Sequence, residues 1–281
     1  MPSSDLLGIV LALTSAVVWG GGDFSGGFAT RRMHQYQVLA LSALSGIAIL
    51  AIFAVLRGEG LPSLNGALWA GLTGMVGSLG LAALYRALSM GQAASVAPTA
   101  AVIGAILPVA FSILTEGLPG AGRLAGFGLA VTGIWLVSQG AVQAGAANRQ
   151  SFWLACVAGL GFGGFFIFIA QTENEKVFTS LIVARSVTFL IAILLLRLKR
   201  LPMIGPAASP IGTLAGLLDA GGNIFFLLAK HYTRLDVAAV LSSLYPASTV
   251  LLSYLLLKEK ISRLQWLGVM LCLGAIALIT A

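Results

Sequence analysis

The chain has 281 residues, of which 58% are hydrophobic and only 9% are charged. An ordinary soluble domain carries about 25% charged residues, so this composition excludes a water-soluble protein and favours one embedded in a bilayer. The formal net charge is +7, but the Lys and Arg residues are scattered singly between apolar segments. That pattern argues against nucleic acid as a partner and fits contact with membrane lipid.

Ten apolar segments follow one another along the chain, each long enough to cross a membrane as a helix. They cover residues 6–28, 36–56, 66–89, 94–115, 122–142, 151–171, 178–197, 210–232, 236–257 and 263–280. The loops between them are short and use up nearly all of the remaining chain. The sequence therefore predicts an all-α integral membrane protein with ten transmembrane helices and no sizeable soluble domain.

The last five segments echo the first five. For example, Ile47-Ala48-Ile49-Leu50 recurs as Ile191-Ala192-Ile193-Leu194 in the corresponding segment of the second half. An odd number of spans per copy turns the second copy upside down in the membrane, and many secondary transporters place one central site between such copies. We therefore predict two inverted five-helix repeats, residues 1–145 and 146–281, joined by a short polar linker.

Prolines fall in corresponding segments of the two repeats. Pro98 and Pro108 lie in the fourth segment, and Pro246 lies in the ninth. Proline removes a backbone donor and bends its helix, and interrupted segments at matching places in two halves point to a binding site at the membrane midplane. We predict that these three prolines interrupt their helices as kinks or hinges beside a site, with a plain structural kink as the alternative.

Three charged residues lie well inside predicted spans: Asp23 in the first, Arg185 in the seventh and Asp219 in the eighth. A charge at membrane depth costs at least about 2.5–3.5 kcal/mol on insertion scales, so each is a candidate functional group. Asn223 follows Asp219 by one helical turn, so both project from one face. Two interpretations stay open. Either Asp219 and Arg185 form a structural ion pair, or one of them faces a wet cavity and binds substrate or a proton.

The predicted cavity is enclosed by spans one, three, four, six, eight and nine, with Trp19, Tyr85 and Tyr245 as its walls. The two cysteines lie singly inside apolar segments, without the spacing of metal ligands. No P-loop, zinc-protease or EF-hand motif is present in the sequence. We therefore predict neither a metal site nor a cofactor, and the sequence offers no support for an enzyme.

Each half closes its fourth span with a similar motif. The first half reads Ile113-Leu114-Thr115-Glu116-Gly117 and the second reads Leu255-Leu256-Leu257-Lys258-Glu259, and spaced glycines follow both. Together with Trp19-Gly20 in span one and Tyr245-Pro246 in span nine, these motifs resemble the drug/metabolite transporter superfamily, in particular the EamA-type permeases. The resemblance covers the whole chain and departs from the family pattern at Lys258, where glycine usually precedes the glutamate.

The resemblance implies a multi-pass carrier of the bacterial inner membrane. Such a carrier moves a small metabolite, often an amino acid or a similar amphipathic solute, by alternating access, and export is the expected direction. Its partners would be the small-molecule substrate and membrane lipid, with a proton as one candidate coupling ion. Proton-coupled or facilitative uptake and a non-transporting membrane scaffold are the alternatives, and ten helices are compatible with a monomer or a homodimer.

The orientation of the chain termini stays open because two arguments disagree. Loops after odd-numbered spans hold Arg31, Arg32, Arg86, Arg149, Arg197, Lys199, Arg200, Lys258, Lys260 and Arg263, and loops after even-numbered spans hold Arg57, Arg123, Lys176, Lys230 and Arg234. The positive-inside rule then places both termini outside the cytoplasm. The family resemblance implies cytoplasmic termini instead.

Overall fold

The computed structural model describes residues 2–88, 93–139, 149–258 and 260–280, and within them the side chains of all but residues 2–4, 85, 88 and 93–98. Every regular element in these ranges is helical, and ten helical stretches are long and apolar enough to cross a membrane. The prediction of an all-α protein with ten transmembrane helices is confirmed.

The helices agree with the predicted segments to within a few residues. In the first half, α1 covers Pro2–Ala29, α2 Gln35–Leu56, α3 Leu64–Leu88, α4 Ala93–Glu116 and α5 Ala121–Ser138. In the second half, α6 covers Arg149–Ile169, α7 Val177–Leu198, α8 Pro210–Tyr232, α9 Leu235–Ser242, α10 Tyr245–Leu257 and α11 Arg263–Thr280. Helices α9 and α10 together form the ninth span, Leu235–Leu257.

Local sequence signals explain several helix ends. His34 caps α2 by accepting a hydrogen bond from the Tyr36 N–H, while the Gln37 side chain accepts one from the His34 N–H. Ser209 caps α8 in the same way by accepting from the Gly212 N–H. These contacts satisfy backbone donors that have no partner inside the first turn of a helix.

The helix pairs that pack together are related by exchange of the two halves. The packing of α1 on α8 corresponds to that of α6 on α3, and α2 with α7 and α5 with α11 each pair a helix with its own counterpart. Because each half contributes five spans, the copies cross the membrane in opposite senses. The two inverted five-helix repeats are therefore present. The predicted junction at residue 145 lies outside the described residues.

The ninth span is interrupted, whereas the fourth is not. A turn at Ser243 and Leu244 separates α9 from α10, and Pro246 lies in the first turn of α10. Helix α4 continues through Pro98 and Pro108, so neither proline breaks its span, and a kink or hinge at these two positions stays a prediction. In the first turn a proline removes no bond that the helix would otherwise make, and in a membrane helix an interior proline is accommodated by neighbouring groups.

Small residues let helices of the two halves approach closely. A Cβ atom added to Gly161 of α6 would lie 2.6 Å from the Gly80 Cα and 2.6 Å from the Val76 carbonyl oxygen of α3. A Cβ atom on Gly268 of α11 would lie 2.7 Å from the backbone nitrogen of Val137 in α5. Association of helices in lipid depends on such close packing because no hydrophobic drive acts between them there.

Candidate functional site

A cavity of about 620 Å³ lies between the two halves. Helices α1, α2 and α3 line it from the first half, and α6, α7, α8 and α10 line it from the second. The sequence pointed to α7 only through Arg185 and did not predict α2. The fourth span was predicted to enclose the cavity, but α4 contributes none of the described lining residues. Cavities of this volume hold small-molecule ligands in other proteins.

The cavity extends to one face of the bundle. We call the face on which α1 begins and α11 ends the terminal face, and the opposite face the distal face. The lining includes Thr30, just after α1, and Leu84, near the end of α3, which both lie toward the distal face. The cavity is therefore open toward the distal face, where the majority of the loop Lys and Arg residues lie.

An ion pair forms part of the cavity wall. The Arg185 guanidinium of α7 contacts the Asp219 carboxylate of α8, and both residues line the cavity. The Arg185 side chain is 11% exposed and that of Asp219 is 39% exposed, so the carboxylate faces the cavity and the guanidinium is buried behind it. The two interpretations that the sequence left open are compatible, because the pair exists and a solute in the cavity can reach it.

Asn223 carries a buried acceptor that has no partner. Its Nδ2 donates to the Asp219 carbonyl oxygen at 2.6 Å, and the residue is only 3% exposed. Its Oδ1 makes no hydrogen bond to any residue that the structure describes, although the residue lines the cavity. Leaving a buried acceptor unsatisfied costs about 1–3 kcal/mol, so this oxygen is suited to a donor that arrives with a ligand.

Asp23 lines the same cavity from α1, and its side chain is exposed there. Helix α1 packs against α8 at Gly22, where an added Cβ atom would lie 3.3 Å from the Asp219 backbone nitrogen. Among the described residues, none forms a hydrogen bond or an ion pair with the Asp23 carboxylate. The structure thus brings all four polar residues that the sequence singled out to one cavity.

Aromatic rings form the end of the cavity that lies toward the terminal face. The Trp19 indole N–H donates to the Asp219 carbonyl oxygen at 3.2 Å. The Trp19 ring stacks on Phe226 and packs edge-on against Phe166 and Tyr245, with ring centroids 5.6–6.4 Å apart. Trp19 and Tyr245, two of the three residues predicted as walls, line the cavity. Tyr85, the third predicted wall, has a side chain that lies outside the described part of the structure.

The sequence did not indicate which hydroxyl groups would lie in the cavity wall. Thr73 and Ser78 of α3 and Thr188 of α7 all line the cavity. The Ser78 and Thr188 hydroxyls are 3.1 Å apart, and the Thr73 hydroxyl donates to the Trp69 carbonyl of its own helix. Such uncharged residues are common in membrane helices, where they bond backbone carbonyls, so only the tertiary structure distinguishes these three.

Tight apolar packing closes the route from the cavity to the terminal face. The largest cluster of buried apolar residues includes Ile9, Ala12 and Ala16, which precede Trp19 on α1, together with Phe226 of α8 and the buried α9 residues 237–241. The turn between α9 and α10 lies directly beside Tyr245, so a break in a helix meets the cavity near the midplane. Discontinuous helices at membrane depth occur where they line a cavity or binding site.

Polar contacts between the halves reinforce this closure at the terminal face. The Glu59 carboxylate of the first half accepts hydrogen bonds from the Thr179 N–H at 2.7 Å and hydroxyl at 2.8 Å, at the start of α7. Asp5 contacts Arg123 of its own half and Thr233 of the other. We call these contacts, with those of Glu173 and Arg234 described next, the interhalf latch.

Two further members complete the interhalf latch. Glu173 of the second half accepts a hydrogen bond from the Ser63 N–H of the first half at 3.0 Å. Hydrogen bonding to the Ser63 side chain, and to a smaller extent to the Ser63 backbone, holds the pKa of the Glu173 carboxyl below its ordinary range. Arg234 donates to the Gly117 carbonyl at 2.7 Å, and its hydrogen bond with Asp236 raises the pKa of the guanidinium. Both groups therefore stay charged near neutral pH.

Metal ligation has no candidate in the parts of the chain that the structure describes. There, no group of three or more His, Cys, Asp or Glu side chains is arranged to hold an ion. Among the described lining residues, Asp23, Arg185 and Asp219 are charged, and Asn223 adds a neutral amide. This arrangement can bind and orient a polar solute.

Comparison with known proteins agrees with this architecture. The model of the EamA-like transporter family matches residues 6–139 and 150–281, which are the two five-helix halves. No curated protein sequence matches the chain. A solved structure described only as "Crystal structure of protein" is similar over 96% of this chain and 95% of its own, with a TM-score of 0.75 and 19% sequence identity. At that identity the likeness supports a shared fold alone.

Proposed function

This chain belongs to the EamA-like transporter family, and we propose that it is a secondary active transporter that exports a small metabolite across the bacterial inner membrane by alternating access. Family membership and ten apolar helices identify a multi-pass membrane transporter of small solutes and point away from an enzyme. The proposal extends this to the solute, an amino acid or a similar amphipathic molecule, and to the direction and mechanism of its movement.

One observation carries the proposal: a cavity between inverted halves reaches one face of the bundle and is closed toward the other. Because the halves are inverted copies, exchanging their two conformations would close the distal face and open the terminal face. Breaking the interhalf latch is part of that exchange, since its contacts join the two halves at the terminal face. Pro246, beside the break in the ninth span, is the proposed hinge.

The cavity suits an amphipathic solute. Asp219, Arg185, Asn223 and Asp23 offer polar contacts, and Trp19, Tyr245 and the α6 phenylalanines offer apolar surface. Tyr85 is proposed as a further wall on the strength of its sequence position. A proton taken up by a cavity carboxylate is one candidate coupling ion, and exchange or facilitated diffusion fits the same residues.

Flux through purified protein in liposomes tests the proposal. Vesicles preloaded with pools of unlabelled metabolites are diluted into radiolabelled amino acids and amines, with and without a pH gradient. We expect counterflow of at least one solute that is abolished by Asp219→Asn in protein that still folds, and that is unchanged by Glu175→Gln, which alters an exposed loop carboxylate.

Two alternatives are outcomes of the same assay. Accumulation driven by an inward proton gradient, with no flux in the opposite sense, would identify an uptake permease. Folded protein that moves none of the tested pools in either direction would favour a non-transporting scaffold and would contradict the proposed function. Protease accessibility of the loops reports the orientation of the protein in the vesicles, so the two directions can be told apart.

A further inference from the structure

The cavity carries an excess of negative charge. Asp23, Arg185 and Asp219 are the charged residues among its described lining. The Arg185 charge is neutralised by the ion pair with Asp219, so among the described lining residues no counter-charge remains for the Asp23 carboxylate. A charge that is removed from bulk water and left unpaired favours a ligand that brings the opposite charge.

The neutral polar atoms of the same region also favour a donor. The unpartnered Oδ1 of Asn223 is an acceptor, and the Asp23 carboxylate offers only acceptors when it is ionised. Two donors in the same wall are committed within the protein, since the Asn223 Nδ2 and the Trp19 Nε1 both donate to the Asp219 carbonyl oxygen. An ammonium group brings three donors and one positive charge, which matches what this region lacks.

Aromatic faces next to these acceptors add to the attraction. Trp19, Phe165 and Tyr245 line the cavity, and their ring centroids lie 6.3–6.4 Å apart in the pairs that Trp19 forms. An organic cation over such rings is attracted by their quadrupole, and the apolar part of the ligand packs against the same surface. An anion or an uncharged solute can share the apolar contact but does not gain the cation–π attraction.

We propose that the solute is an organic amine with a single positive charge, whose ammonium group binds Asp23 and Asn223 and whose apolar body lies against Trp19, Phe165 and Tyr245. The inference rests on the proposed function and narrows its substrate class. A zwitterionic amino acid is disfavoured because its carboxylate would lie in a cavity whose one cation, among the described lining, is already paired with Asp219. The ammonium site is defined here as Asp23 and Asn223.

Equilibrium binding to the purified protein in detergent tests the ammonium site without requiring transport. Three radiolabelled probes share a ring and differ in the head group: 2-phenylethylammonium, zwitterionic phenylalanine and 2-phenylethanol. We expect the amine to bind at least tenfold more tightly than the other two. Asp23→Asn should weaken amine binding at least tenfold and leave 2-phenylethanol unchanged, and Asn223→Asp should strengthen amine binding.

The control variant is Glu175→Gln, which removes an equal charge from an exposed loop and should leave all three affinities unchanged. Asp23→Glu keeps the charge and should retain the preference for the amine. If the wild-type protein binds phenylalanine or 2-phenylethanol as tightly as the amine, or binds none of the three, the ammonium site is refuted. Because this comparison uses wild-type protein, it stands even if a variant fails to fold.

Failure of the ammonium site and failure of the transport proposal give different results. Counterflow of amino acids without a preference for amines would refute the ammonium site and leave the transporter intact. Selective amine binding in protein that catalyses no flux in liposomes would support the ammonium site and contradict transport.

Discussion

The ion pair in the cavity wall leads to a prediction about stability that depends on the burial of its two partners. Unit charges about 4 Å apart at an effective dielectric constant of about 20 attract by about 4 kcal/mol. The Asp219 side chain is 39% exposed to the cavity, so screening by water lowers the coupling between it and Arg185, and we expect about 1–3 kcal/mol. The pair should therefore stabilise the bundle measurably while staying within reach of a solute.

The unequal burial of the two side chains determines which single variant loses more stability. Asp219→Asn leaves the buried Arg185 charge, 11% exposed, without a partner, whereas Arg185→Met leaves a carboxylate that cavity water can hydrate. Asp219→Asn should therefore lower the free energy of unfolding more than Arg185→Met does. The double variant leaves neither charge of the pair behind, so it should be more stable than Asp219→Asn alone.

The measurement is reversible unfolding in mixed micelles, followed by circular dichroism. Comparing the wild type, both single variants and the double variant in a double-mutant cycle gives the coupling free energy between the two side chains. Additive effects, with a coupling below about 0.5 kcal/mol, would mean that the pair does not contribute to stability. If Arg185→Met were the more damaging change, the assignment of the guanidinium as the more costly unpaired charge would be wrong.

Two further predictions concern the packing and the closure of the bundle. Gly161→Ala should destabilise the protein by about 1–3 kcal/mol because its new methyl group meets the backbone of α3. Gly71→Ala is the control and should not destabilise it, because open space surrounds Gly71. Equal stability of the two variants would contradict the close approach of α6 to α3. Glu59→Leu removes the carboxylate that accepts from Thr179 at the start of α7, so amide hydrogen exchange there should quicken about fivefold, as the loss of about 1 kcal/mol implies. Glu175→Gln is the matched control, and unchanged exchange in the Glu59 variant would show that the interhalf latch does not hold this helix end.

Most of the helical architecture could be predicted because a bilayer restricts the backbone so strongly. Each apolar segment must satisfy its own hydrogen bonds in lipid, so segment length alone predicted ten spans, and the described residues contain ten. The interruption of a helix was harder to predict. Pro246 and Pro108 look alike in the sequence, yet the break occurs only beside Pro246, because surrounding groups decide whether a membrane helix continues past a proline.

The polar residues of the cavity were predictable for a related reason. Asp23, Arg185 and Asp219 carry charges at membrane depth, and the cost of such charges marks them in the sequence as functional candidates. Thr73 and Thr188, which also line the cavity, carry no such cost and look like ordinary helix residues. The members of the interhalf latch were not predicted either, because loop carboxylates such as Glu59 give no sign of their partners.

The sequence by itself determined where the chain crosses the membrane, that it does so in two inverted copies, and which charged side chains need a polar environment. The tertiary structure alone decided that Arg185 neutralises Asp219, that Asp23 and the Asn223 oxygen have no partner among the described residues, and that the cavity closes toward the terminal face. The physical reason is that the first set depends on the transfer of each segment from water to lipid, a property of local composition. The second set depends on contacts between residues far apart in the chain, which exist only when the two halves are packed together.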